Sequence, residues 1–172
     1  LVYWHYISGK WILYSYGEEG FIYWKAPKML YVLFHPQNGL FVYAPLLLLA
    51  LIGLVITWNN KFYSAKVTVL ILTLTLYFAG SWSCWWFGGA YGHRPFMDFF
   101  GLIAIPMAFV ISKIFDFKSS IRNVFLIAIL FLVFTSVRMN MIYAWPWEGA
   151  NWGWKNVLEK YEQALYLEKL IQ

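Results

Sequence analysis

The chain has 172 residues, of which 62% are hydrophobic and 12% are charged, and its mean hydropathy is +0.58. A soluble domain carries about 25% charged residues, so this composition argues against a soluble globular protein and predicts a protein of the bilayer. The net charge of +5 is not gathered into one basic stripe, which argues against a nucleic-acid partner. The single cysteine, Cys84, excludes an intrachain disulfide.

Residues 1–39 alternate aromatic residues with glycine and proline, which predicts an interfacial segment with a short helix over residues 27–34. Its first motif, YSYGEEGF, contains Glu18 and Glu19. A carboxylate here could act as general base toward an acceptor hydroxyl. Adjacent acids in a glycine-flanked turn are more often simply solvated, and we favour that interpretation.

The second motif, FHPQNGLFVYAP, brings a proline turn and an Asn-Gly step to the mouth of the first apolar run. Asn38 and Gly39 can adopt positive φ, so the chain can turn sharply into the membrane there. We expect His35, Gln37 and Asn38 to contribute to the mouth of a site that touches a lipid phosphate or a sugar hydroxyl. The alternative is a helix-entry turn without a ligand.

Four apolar runs predict an all-α, multi-pass transmembrane bundle, since about 20 residues cross the hydrocarbon. The third run is expected to kink at Pro106, and Arg138 in the fourth is expected to snorkel to the headgroups. The bundle forms one predicted region, residues 40–143. The predicted spans are residues 40–58, 67–86, about 95–112 and about 124–143.

Lysine and arginine predict the orientation of these spans. The loops 59–66 and 113–123 together carry five basic residues and one acidic residue. The loop 87–98 carries Arg94 as its single basic residue. The positive-inside rule therefore assigns the first two loops to the cytoplasm and both chain ends to the outer face. Ten of the eleven tryptophans then lie on the outer side, which is more one-sided than aromatic belts at both surfaces would produce.

The third motif, SWSCWWFGGAYGHRPFMDF, lies on this outer side. Glycines make the loop pliable, and the Arg94 guanidinium could bind a phosphate through two hydrogen bonds, supported by His93. Trp85 and Trp86 could stack on a sugar or cover an isoprenoid tail, although a membrane belt is the commoner role. Arg94 could equally pair with Asp98, and His93 with Asp98 provides too few ligands for a metal.

Residues 144–172 predict an outer-face tail. Trp145, Pro146 and Trp147 break the fourth helix, and Asn156 can cap a final amphipathic helix that continues to Leu170. We expect this helix to pack on the protein or the membrane through its apolar positions, which are Leu158, Tyr161, Ala164, Leu165, Leu167 and Ile171.

The order of YSYGEEGF, HPQNGLFVYAPLLLLALIGL and WWFGGAYGHRPFMDFFGLIAIP resembles the C-terminal half of bacterial glycosyltransferases of the GT-C superfamily, such as protein mannosyltransferases and aminoarabinose transferases. The resemblance covers roughly residues 13–112. It implies a polyprenyl-phosphate sugar donor, transfer with inversion, and a site on the outer face of the bacterial cytoplasmic membrane. The family's catalytic carboxylate lies in a first outer loop that has no counterpart here, so we expect a further N-terminal part.

The sequence thus predicts part of a membrane glycosyltransferase whose partners are membrane lipid and the sugar donor. No cofactor is predicted, and a divalent metal stays open. The alternative is a non-enzymatic scaffold or a lipid or polymer transporter component. A transporter should carry ionisable residues along its spans, whereas here they lie at the span ends, which favours the enzyme.

Overall fold

The computed structural model describes residues 1–12, 16–88, 91–142 and 152–166, and within these ranges the chain is helical and forms no β-strand. The predicted all-α class is therefore confirmed for this part of the chain. The α-helices are α1 (Val2–Ser8), α2 (Met29–Phe34), α3 (Leu40–Tyr43), α4 (Leu48–Ile56), α5 (Ala65–Ser81), α6 (Phe100–Phe115), α7 (Ser119–Met141) and α8 (Trp154–Leu165).

In the described part of the chain, two helices are long and apolar enough to cross a membrane. The first is Arg94–Phe115, in which a 3-10 turn continues into α6, and the second is α7, with 22 and 23 residues respectively. Only 22% and 17% of their most apolar windows are buried. An apolar helix in the core of a soluble protein would be mostly buried, so these two exposed surfaces suit a lipid environment.

The first two apolar runs form shorter helices than predicted, so a bundle of about four spans is not confirmed. Pro45 has no N–H and disfavours the helical region at Ala44, whose φ is −134°, and the first run breaks there. The helix Pro45–Ile56 that follows is about 18 Å long at 1.5 Å per residue. In the second run, α5 has 17 residues and ends where Trp82 becomes extended.

Among the described helices, α4 and α6 cross with their backbones almost in contact. A Cβ atom built on Gly53 would lie 2.1 Å from the carbonyl oxygen of Pro106, so the absence of a side chain at Gly53 permits this approach. Small residues that let helix backbones touch are the usual means of packing helices in lipid, where burial of apolar surface provides no driving force.

Pro106 inside α6 leaves a backbone acceptor without its helical donor. The missing N–H of Pro106 would otherwise bond to the carbonyl of Leu102, four residues earlier. The Tyr63 hydroxyl donates to that carbonyl oxygen at 3.1 Å and lies 2.8 Å from the Thr68 hydroxyl. A buried side chain thus satisfies the carbonyl that the proline exposes.

Residues 16–34 form an outer layer across the C-terminal end of α5. The N–H groups of Tyr23 and Lys28 donate to the carbonyl oxygens of Ser81 and Gly80, at 3.0 and 2.8 Å. The Tyr77 hydroxyl donates to the Trp24 carbonyl at 2.7 Å. The layer includes α2, which begins two residues later than the predicted helix.

An amphipathic helix is present at Trp154–Leu165 and packs on the protein itself, whereas the predicted end of this helix at Leu170 lies outside the described residues. Val157 and Ala164 are buried beside Tyr43 and Met139. Leu158 and Leu165 are exposed and do not take part in this packing, so their predicted contact with the membrane stays a prediction. Its start is one turn earlier than a cap at Asn156 would require, although the Asn156 side chain does accept the Gly153 N–H at 3.1 Å.

Arg138 does not snorkel to the headgroups, and that prediction is wrong. Its side chain is buried, and it donates to the carbonyl oxygens of Ala164 and Tyr166, both at 3.2 Å. These carbonyls belong to the C-terminal end of α8, where a helix carries partial negative charge. The guanidinium therefore caps α8 and fastens it to α7.

Candidate functional site

A groove of about 1050 Å³ lies between the outer layer, the C-terminal half of α5 and the third motif. Two parts of the chain that are distant in sequence therefore form its walls, namely the outer layer and the continuous stretch from α5 into the third motif. The lining residues are Tyr16, Glu19, Phe21, Thr75, Phe78, Ala79, Trp82, Cys84, Trp86, Phe87, Gly88, Arg94 and Pro95.

The groove combines aromatic surface with one acid and one base. The indole N–H of Trp82 donates to Oε2 of Glu19 at 3.2 Å, and the Phe21 ring meets the Trp82 ring edge-on with centroids 4.9 Å apart. These contacts fix the indole and the carboxylate in one wall. Indole faces beside a carboxylate can bind a sugar, since the rings stack on its C–H faces and the carboxylate accepts its hydroxyl hydrogens.

Arg94 lies at the groove and is exposed. Its guanidinium donates to the Gly88 carbonyl at 3.4 Å, a long contact, and in the described part of the chain it forms no ion pair with Asp98. The alternative role for Arg94, pairing with Asp98, is therefore absent from this structure. The planar guanidinium keeps donors available for an anion.

The two adjacent tryptophans of the third motif occupy different environments. Trp86 is half-buried and lines the groove, whereas Trp85 is only 5% exposed. The Trp85 ring packs edge-on against the rings of Tyr31, His35 and Trp86. Trp86 can contact a ligand in the groove without any rearrangement. A contact between Trp85 and a ligand stays a prediction, and it would require the Trp85 ring to move.

His93 is buried and neutral. Burial lowers its pKa to about 4, against the opposing effect of a 2.9 Å hydrogen bond between Nε2 and the Trp85 carbonyl. Nε2 must then carry the proton, and Nδ1 has no partner among the described residues. His93 is therefore a support beneath the loop and not a source of positive charge at neutral pH.

His35, Gln37 and Asn38 do not line the groove. His35 is half-buried, and its Nδ1 accepts the Gln37 N–H at 3.1 Å. Burial lowers the pKa of His35, and the positive charge of Lys28 adds to that effect. Contact of His35, Gln37 and Asn38 with a lipid phosphate or sugar hydroxyl stays a prediction.

Asn38 connects the second and third motifs. Its side-chain amide donates to the carbonyl oxygens of Trp86 and Gly92, at 2.7 and 3.0 Å. Of the predicted Asn-Gly pair, only Asn38 has positive φ, at 65°, whereas φ of Gly39 is −59°. Gly92 adopts the positive φ expected of the glycine loop, and Gly89 lies outside the described residues.

Sequence reasoning missed Lys28. Its ammonium lies 4.1 Å from the centre of the Tyr23 ring and 5.8 Å from those of Tyr31 and Trp85. Such contacts stabilise a cation at an aromatic face. An isolated lysine in a sequence gives no signal of this arrangement, which depends on the outer layer and on Trp85 of the third motif.

Within the described ranges, no group of three histidine, cysteine or acidic residues could hold a metal ion. No protein-family model, curated protein or solved structure matches the chain.

Proposed function

We propose that this chain is part of an integral-membrane glycosyltransferase that moves a sugar from a polyprenyl-phosphate donor to an acceptor on the outer face of the cytoplasmic membrane. The observation that supports it is the groove, which joins tryptophan rings to Glu19 and Arg94. A sugar phosphate linked to a lipid needs an anion partner, a sugar platform and apolar surface. The groove provides all three types of surface.

In this proposal Arg94 binds the donor phosphate, and Trp82, Trp86 and Glu19 contact the sugar. The acceptor oxygen attacks the anomeric carbon, the bond from that carbon to the phosphate oxygen breaks, and polyprenyl phosphate leaves with the electron pair. A base takes the acceptor proton. Arg94 stabilises the charge that develops on the departing phosphate, which is where a fixed cation lowers a barrier most.

The proposed topology has four crossings, with the loops 59–66 and 113–123 in the cytoplasm. It rests on the five-to-one bias of basic residues. Cysteines introduced at Ser64, Ser119 and Ala90 in a Cys84→Ser background test it in intact cells. An impermeant thiol reagent should label only position 90, and labelling of positions 64 and 119 alone would reverse the orientation.

Sugar transfer by membranes that contain the protein tests the role of Arg94, with donor concentration varied. Arg94→Lys keeps the charge but loses the planar pair of donors, so we expect the apparent KM for donor to rise about 10-fold. Arg94→Ala should reduce kcat/KM by about 100-fold or more. Lys10→Ala is the matched control, since Lys10 is an exposed basic residue that does not line the groove.

An Arg94→Ala protein with the donor KM and kcat of the parent would refute the phosphate assignment. Donor binding without transfer, in membranes that contain every chain of the native protein, would instead indicate a carrier or scaffold. Asp98→Ala provides an internal check. Because Asp98 does not pair with Arg94 in the described structure, this variant should keep normal transfer.

A further inference from the structure

We propose that Asn38 is a positioning residue, which holds the two described ends of a loop, residues 86–88 and 91–92, in the shape that forms the groove wall and orients Arg94. The inference rests on the function proposed for the groove. Asn38 itself lies outside the groove lining. It therefore acts through the loop and not by contact with the ligand.

The side chain of Asn38 joins the two ends of that loop. Its amide nitrogen lies 2.7 Å from the Trp86 carbonyl oxygen and 3.0 Å from that of Gly92, with the Phe87 carbonyl at 3.5 Å. The amide has two hydrogens, and the two short contacts use both. Asn38 is only 5% exposed, so water cannot readily replace these hydrogen bonds.

The turn that carries Asn38 is a firm support. The Gly39 N–H donates to the His35 carbonyl at 2.8 Å, and a Cβ on Gly39 would lie 2.5 Å from that same oxygen. The Tyr43 hydroxyl donates to the Pro36 carbonyl at 2.8 Å. The positive φ of Asn38 is one that asparagine tolerates better than other non-glycine residues.

The loop needs such a support because its backbone is unusual at both ends. Phe87 has φ of 44° and Gly92 has φ of 77°. A bulky residue at positive φ is strained and persists only where its surroundings fix it. Asn38 contacts carbonyl groups at Trp86, Phe87 and Gly92, which are the positions where this conformation begins and ends.

The same loop contacts Arg94 directly. The Gly88 carbonyl, inside the loop, accepts a hydrogen bond from the Arg94 guanidinium, and Trp86, Phe87 and Gly88 all line the groove. If the loop moves, the groove wall and the partner of Arg94 move with it. The Asn38 amide therefore controls the geometry of the phosphate-binding group across 56 residues of sequence.

Two isosteric substitutions separate this role from a general effect of asparagine loss. Asn38→Asp removes the two N–H donors that bond to the carbonyl oxygens of Trp86 and Gly92. Asn60→Asp is the matched control, because Asn60 uses its side-chain oxygen, which accepts the N–H groups of Phe62 and Tyr63 at 2.8 and 3.0 Å and is retained in aspartate. Asn38→Gly serves as a second variant that permits positive φ and adds no charge.

The first measurement is the rate at which a neutral maleimide labels Cys84, which lines the groove and is half-buried. We expect Asn38→Asp and Asn38→Gly to raise this rate about 5-fold or more and Asn60→Asp to leave it unchanged. An unchanged rate in both Asn38 variants would overturn the proposal. This readout does not depend on sugar transfer, so increased labelling without any transfer would refute the enzyme function and leave the role of Asn38 standing.

The second measurement separates positioning from loss of folded protein. A displaced Arg94 weakens donor binding and also stabilises the departing phosphate less well, so the donor KM of the Asn38 variants should rise about 10-fold and kcat per folded molecule should fall as well. A simple loss of folded protein would lower the maximal rate and keep KM constant. That pattern, with unchanged KM in Asn38→Gly, would contradict the proposal.

Discussion

The outer layer and the apolar helices of this protein are held together by different contacts. The outer layer and the other segments at the ends of the apolar helices are attached by long-range hydrogen bonds, in which Asn38, Tyr77 on α5 and Arg138 on α7 donate to backbone carbonyls that are 28 to 54 residues away. Between α4 and α6, the contact is a bare backbone approach at Gly53. A close backbone approach is the contact that suits lipid, which provides neither water nor a hydrophobic driving force.

The largest expected effect tests the packing half of this comparison. Gly53→Ala places a Cβ against the Pro106 carbonyl, and a backbone oxygen cannot rotate away. We expect a loss of more than about 3 kcal/mol in unfolding free energy, measured by denaturation in mixed micelles. Gly101→Ala is the control, because nothing lies within 4 Å of its Cβ position in α6. Equal unfolding free energies of the two variants would show that the α4–α6 crossing does not contribute to stability as described.

A second prediction concerns how the unfolding free energy depends on pH through His93. The pKa of His93 is about 4 in the folded protein against 6.5 for an exposed histidine, so the unfolded chain binds the additional proton between these values. Neutral His93 therefore contributes stability that is present above pH 6.5 and is lost as pH falls toward 4. The expected loss of unfolding free energy between pH 7 and pH 5 is about 2 kcal/mol.

Unfolding free energies measured over this pH range test the prediction. The His93→Gln side chain can still donate to the Trp85 carbonyl but does not titrate. Between pH 7 and pH 5, the unfolding free energy of this variant should therefore fall by about 2 kcal/mol less than that of the parent. His35→Gln is the comparison variant, since burial lowers the pKa of His35 as well. A His93→Gln curve parallel to that of the parent would contradict the assignment.

The smallest effect concerns the polar contact inside the apolar region. Tyr63→Phe leaves the Leu102 carbonyl, which lies one turn before Pro106, without a hydrogen-bond donor. We expect the unfolding free energy to fall by about 1 kcal/mol or more. Tyr77→Phe removes a similar hydrogen bond at the exposed Trp24 carbonyl, where water can replace it. Unfolding of the two variants in the same micelles should therefore show the larger cost at Tyr63, and the reverse order would contradict the comparison.

Contiguous apolar residues predicted α6 and α7 well, because composition alone governs whether a long helix suits lipid. The break at Ala44 was readable from Pro45, whose missing N–H acts locally. The buried positions of α8 differed from the prediction by one residue, Val157 in place of Leu158, because both satisfy a helical period and the partner surface decides between them. Only the folded chain could reveal that choice.

The groove was predicted less completely than the helices. Arg94 and Trp86 were identified by type and location, but the Glu19 contact with Trp82 joins residues 63 positions apart. The bond from Tyr63 to Leu102 has a partial sequence signal, since a proline inside a helix always frees a carbonyl. Which donor satisfies that carbonyl depends on how the helices pack, and a single sequence does not specify it.

The capping of α8 by Arg138 has a consequence for the order of assembly. The guanidinium in α7 comes 26 residues before the Ala164 carbonyl that it binds. During synthesis, α7 is therefore made while its charged side chain still lacks these acceptors, and the cost of withdrawing that charge from water is unmet. In the proposed topology, docking of α8 is a late step that completes insertion of α7, so truncation before residue 164 is expected to leave α7 with slower and less complete membrane integration.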